Sequence, residues 1–177
     1  LKNAKTPEAF QSSANAFERI ATAEPTEWLP LYYQAFCDVM IGSQQSDNTA
    51  KDSYYDKALA LLDKADAVSK DNSEIFALKS WATSMKISID PQARGMELGM
   101  QSGMFTQTAM KLNPEKPRPY LLKGKGLMYP PEQFGRGKDK EVPVRKTAME
   151  QIQAIKPTNH IKPDWRNKMR RNAREEC

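Results

Sequence analysis

Four segments of this chain repeat one pattern at nearly constant spacing. Ile20-Ala-Thr-Ala-Glu-Pro25, Ala65-Asp-Ala-Val-Ser-Lys70, Ala109-Met-Lys-Leu-Asn-Pro114 and the half-copy Ile152-Gln-Ala-Ile-Lys-Pro157 follow one another at intervals of 45, 44 and 43 residues. Each reads as the end of a helix followed by a polar break. Self-similarity at a fixed period in this range marks a repeat architecture, in which each unit buries its apolar face only by stacking on its neighbours.

Further columns keep the same register. Six residues after the first three breaks stand Leu31, Phe76 and Tyr120, all large. Ala35, Ser80 and Gly124, all small, come four residues later, and Ser13, Ala58 and Ser102 form a second small column seven residues before each anchor. Small residues at two fixed positions let paired helices approach closely, and a large one fills the space between neighbouring hairpins.

The segment Ala109-Met-Lys-Leu-Asn-Pro114, with Tyr120 and Gly124 after it, resembles the tetratricopeptide repeat. That family repeats about every 34 residues, so this chain resembles a stretched version of about 44. The added length falls within Ile41–Lys51, Asp90–Gly99 and Met128–Glu141, where Gly42, Asp90-Pro91 and Pro130-Pro131 mark longer helices and loops. The chain is also similar to a group of exported bacterial repeat proteins of no assigned function. That likeness rests on Phe17-Glu-Arg-Ile-Ala-Thr-Ala-Glu24, Trp28-Leu-Pro-Leu-Tyr-Tyr33, Pro131-Glu-Gln-Phe-Gly135 and a closing segment from Pro163-Asp-Trp165 to Cys177. It implies export, with a leader removed before Leu1, and implies nothing about a ligand.

The fold expected is therefore all-α: one helical-hairpin solenoid over residues 1–177, closed by a C-terminal capping helix. Helices are expected over Thr6–Ala23, Trp28–Ile41, Asp52–Ser69, Ser73–Ile89, Gly99–Leu112, Pro119–Met128, Val142–Ile155 and Asp164–Glu175. No segment shows the period-2 alternation of a strand.

Little here favours catalysis. The one histidine, His160, lies in a turn-rich loop, so neither a His-centred triad nor a multi-His metal site can be assembled. Gly135-Arg-Gly-Lys138 lacks the spacing and the hydroxyl residue of a phosphate loop. The carboxylate pairs Asp63/Asp66 and Glu24/Glu27 read as solvated helix faces, and Met96, Met100 and Met104 as a packing face. Neither a cofactor nor a metal is expected. Cys37 and Cys177 do not have the spacing of a metal site, and Cys37 falls in an apolar run that predicts a buried thiol. A bridge between the two needs an oxidising compartment, and a solenoid would hold them apart.

Two binding readings remain. In tetratricopeptide proteins the first helix of each hairpin lines a concave groove. By that resemblance Tyr33, Gln34, Lys79, Arg118 and Lys123 are the groove candidates for a peptide or protein segment, and the cations among them suit an acidic one. Lysine stems lying along apolar surface are the competing account of that column. The alternative is a polyanion such as nucleic acid. Residues 101–177 hold 17 Lys/Arg against 8 Asp/Glu, whereas residues 1–100 hold 10 against 14. Only Trp165 could stack a base in the basic segment Lys162–Arg174, and it reads better as core.

Overall fold

The computed structural model describes residue 1, residues 4–128 and residue 146 of the 177-residue chain. Among these residues it holds six helices: α1 Pro7–Ala23, α2 Trp28–Gly42, α3 Asn48–Val68, α4 Ser73–Ile87, α5 Pro91–Leu112 and α6 Pro117–Met128. The described residues include no strand. The expected helices Val142–Ile155 and Asp164–Glu175, the capping role of the latter, and the loop 135–138 lie outside the described residues.

Local chemistry accounts for the helix starts. Side-chain oxygens of Thr6, Asp47, Asn72 and Asp90 accept from Ala9 N (3.4 Å), Ala50 N (2.7 Å), Glu74 N (3.1 Å) and Ala93 N (3.0 Å). Each satisfies a backbone donor that the first turn leaves without a partner. Two starts differ from expectation. Asp90-Pro91 reads as the end of a helix, but Asp90 caps α5 and Pro91 is in its first turn, so α5 begins eight residues earlier than predicted. Proline at that position lacks only an N–H that no helix bond would use. Asp47 likewise starts α3 four residues early. The length added in the first two stretches is thus mainly helix, α3 having 21 residues and α5 22, while the third, Met128–Glu141, lies outside the described residues beyond Met128.

The chain forms two compact units, Leu1–Pro114 and Glu115–Cys177. In the first, α1 packs on α2, α2 on α3, α3 on α4 and α4 on α5. Phe10, Ala14, Cys37 and Ile41 join α1 to α2. Tyr32, Ala35 and Val39 of α2, Tyr55, Ala58, Leu62 and Ala65 of α3, and Ile75, Leu78 and Ala82 of α4 continue the core.

The small columns sit at helix contacts. Ala35 and Ala58 are fully buried in the α2 and α3 pair. In α4 and α5 the equivalent residues touch directly: Ser80 Oγ donates to the Ser102 carbonyl at 3.0 Å and lies 2.6 Å from Thr106 Oγ1. Ser102 Oγ donates in return to the Ser80 carbonyl at 3.0 Å. The arrangement leaves none of these three hydroxyls without a partner and fixes α5 on α4. The large column behaves differently at Phe76, whose ring lies 6.3 Å from that of Phe105 within the same helix pair rather than between pairs.

Candidate functional site

Polar chemistry in the first unit concentrates where α3, α4 and α5 meet. Lys79 on α4 reaches back across the α3–α4 turn, its Nζ 2.9 Å from Asp66 Oδ2 and 3.0 Å from Asp63 Oδ1. Its ammonium also sits 5.2 Å from the centre of the Phe76 ring and 5.9 Å from that of Phe105. Only 5% of the residue is exposed. Two anions and two ring faces therefore hold this cation in place. Towards the other end of α3, Asp52 Oδ2 pairs with Arg94 at 2.7 Å and Asp52 Oδ1 with Lys86 at 3.2 Å, and Lys86 also contacts Asp56. The Arg94 hydrogen bond is the main reason the Asp52 carboxyl titrates below its ordinary range.

These positions revise the reading of the groove candidates. Lys79 is not a groove cation available to an acidic partner, because Asp63 and Asp66 already neutralise it. The same contact corrects the reading of Asp63/Asp66 as a merely solvated pair: the two carboxylates clamp a lysine 13 residues from Asp66. Gln34 is also buried, at 3% exposure, which leaves Tyr33 half-buried beside it on α2. In the second unit Arg118 is buried and Lys123 exposed, both on α6.

The clamp predicts an asymmetry. Replacing both Asp63 and Asp66 by Asn strands a buried ammonium and should lower stability by about 2 kcal/mol. Lys79→Met keeps the apolar stem and leaves the carboxylates reachable by water, so it should change stability by less than about 1 kcal/mol. Urea midpoints of the two variants measure the difference.

Aromatic side chains form a second feature. Phe17 stacks on Tyr33 at 5.2 Å, Tyr32 meets Tyr33 edge-on at 5.5 Å and Trp28 at 5.7 Å, and Phe36 lies 6.0 Å from Trp81. The row crosses α1, α2 and α4 and joins them by ring contacts.

The third feature reverses an expectation. Met96, Met100 and Met104 are not a packing face: they are 78%, 61% and 68% exposed. They run along the outward side of α5, next to Gly95, Gly99 and Gly103, where an added Cβ would meet nothing within 4 Å. Ser102, Thr106 and Ala109 are the residues that α5 buries instead.

Other chemistry is sparse. Cys37 is a free, buried thiol, pushed up to about 12 chiefly by its burial. It is therefore no nucleophile near neutral pH. No group of three or more His, Cys, Asp or Glu among the described residues could hold a metal ion. No described helix is long and apolar enough to cross a membrane. His160 and Cys177 lie outside the described residues.

Comparison with known proteins bears on both fold and family. No family model matches the chain. No curated protein sequence matches it either. Among solved structures, the chain is similar to the HusA haemophore from Porphyromonas gingivalis, with a TM-score of 0.84 and 31% sequence identity. The match covers 95% of this chain and 83% of that one. A shared helical fold with that identity over nearly the whole length is more than a common architecture, and the chain belongs to the same family as HusA.

Proposed function

We propose that this chain is a non-enzymatic, exported binding protein, built as a stretched tetratricopeptide-like solenoid, whose ligand is a haem-type tetrapyrrole. The observation that carries the reading is the 31% identity to a haemophore across 95% of the chain. The donor set is compatible with such cargo. Haem iron can be held by one axial His, Met or Tyr rather than by a cluster, and the chain has nine methionines, six tyrosines and one histidine. The macrocycle itself needs apolar surface, which the exposed thioethers of α5 and the aromatic row both supply.

Capture of an acidic peptide by Tyr33, Gln34, Lys79, Arg118 and Lys123 is the weaker reading, because Lys79 is already paired and Gln34 is buried. The basic segment Lys162–Arg174 that would favour nucleic acid lies outside the described residues, and no observation favours that partner.

Titration of the purified chain with haemin, followed by the Soret band and by quenching of its three tryptophans, tests the proposal. Saturable one-to-one binding with a Kd of about 1 μM or tighter is expected, equivalent to roughly −8 kcal/mol. A linear, non-saturating response through tens of micromolar haemin would remove it.

A further inference from the structure

We infer that the outward face of α5, carrying Met96, Met100 and Met104, is the platform on which the flat face of the tetrapyrrole lies. This rests on the tetrapyrrole reading above and adds the place and the mode of contact.

The three thioethers stand one above another at four-residue spacing, so they share one side of the helix over about 12 Å, a span comparable with that of a tetrapyrrole. All three are exposed, on the side of α5 away from α4. Between Met96 and Met104 the one charged residue is the exposed Glu97, an anion, and from Leu98 to Met110 the helix carries none. That suits a neutral, apolar ring face and suits neither an acidic peptide nor a polyanion.

Size selects the occupant. The face from Gly95 to Met104 measures about 15 Å by 10 Å, on the order of 150 Å². A stable dimer buries roughly 800 Å² on each partner, so a second copy of the chain finds too little surface here. A single small planar molecule does not need more. Methionine is suited to such a ligand, because its flexible, polarisable thioether packs favourably against π systems. Beside the sulfurs, the open position at Gly103 lets the ring approach the helix backbone. Behind the platform, the Ser80–Ser102–Thr106 hydroxyl contacts and the Phe76–Phe105 ring contact hold α5 against α4, so the face is presented by an anchored element.

Oxidation footprinting on the whole chain tests this without any substitution. Exposed thioethers are converted to sulfoxide by dilute hydrogen peroxide. Metal-free protoporphyrin IX is the probe, since it brings no iron chemistry of its own. With the porphyrin bound, oxidation of Met96, Met100 and Met104 should slow by about fivefold or more, while Met40, packed against the α1–α2 core cluster, keeps its rate. Bound porphyrin with all three methionines oxidised at the free rate would overturn the placement and leave the proposed function standing. Absence of porphyrin binding alongside saturable haemin binding would overturn the placement alone, and absence of both would remove the placement and the proposed function together. In parallel, M96Q/M100Q/M104Q should raise the porphyrin Kd by about tenfold or more with helical circular dichroism unchanged, and an unchanged Kd in the folded variant would also overturn the placement.

Discussion

Gly42→Val should destabilise the chain by about 3 kcal/mol, read as a lower urea midpoint at unchanged slope. Gly42 is the last residue of α2, and the start of α3 folds back over it. A Cβ placed there would lie 2.8 Å from Tyr55 Cε1, 3.1 Å from Tyr54 Cβ and 3.2 Å from Tyr55 Cδ1. The Tyr55 ring is only 1% exposed and has nowhere to move without disturbing the α2–α3 contact. Overpacking of this kind costs about 1–3 kcal/mol for the first carbons added, and valine's branch adds more. The helix-propensity gain on replacing glycine is less than about 1 kcal/mol and acts the other way, so the clash prevails. Gly99→Ala is the control of opposite sign. Nothing lies within 4 Å of its added Cβ, and stability should rise by up to about 1 kcal/mol.

Asp38→Asn should stabilise the chain above neutral pH by up to about 3 kcal/mol, with the gain fading in acid. Asp38 is fully buried in α2, and neither carboxylate oxygen has a hydrogen-bond partner among the described residues. Its one ion-pair contact there is Lys57 Nζ at 3.7 Å, an ammonium half in solvent. Burial raises its pKa from 3.8 to about 6, and the Lys57 charge offsets only part of that. The folded state thus binds the proton more tightly than the unfolded chain. The penalty of the charged form is present above the folded pKa and is relieved as pH falls from above 6 toward 4. An asparagine side chain carries no charge at any pH. The stability difference between the Asp38→Asn variant and the wild type should therefore be largest near pH 8 and close to zero near pH 4. A difference independent of pH would show that Asp38 is solvated or paired in the folded state. The groups facing it include Glu18, whose charge adds to the penalty, so the profile is read as a difference between variant and wild type.

What could be read from the chain and what could not divide along a physical line. Helix existence, the cap at Thr6 and the small columns at Ala35/Ala58 and Ser80/Ser102 were legible, because they depend on residues within a turn of one another or on spacing that the repeat makes visible. Asp90-Pro91 shows the limit even of local signals: the pair suits the end of one helix and the start of the next, and only the Asp90 bond to Ala93 N decides that it caps α5.

The chemistry of the surfaces depended on tertiary structure throughout. Nothing near Asp63 and Asp66 in sequence marks a cation as theirs; Lys79 reaches them because the α3–α4 turn brings two helices alongside. Asp38 is desolvated because α2 lies between α1 and α3 and has little free side on which a carboxylate could reach water. Met96, Met100 and Met104 are apolar enough for a core and tolerant enough of water for a surface. Their direction was set by which side of α5 the Ser102 and Thr106 hydroxyls turned toward Ser80. By itself the sequence determined that the described residues are helical and where α1, α2, α4 and α6 lie to within two residues, since those follow from short-range chemistry. Only the folded chain decided which side chains face water, partner or core, because burial belongs to the neighbours a residue acquires and not to the residue alone.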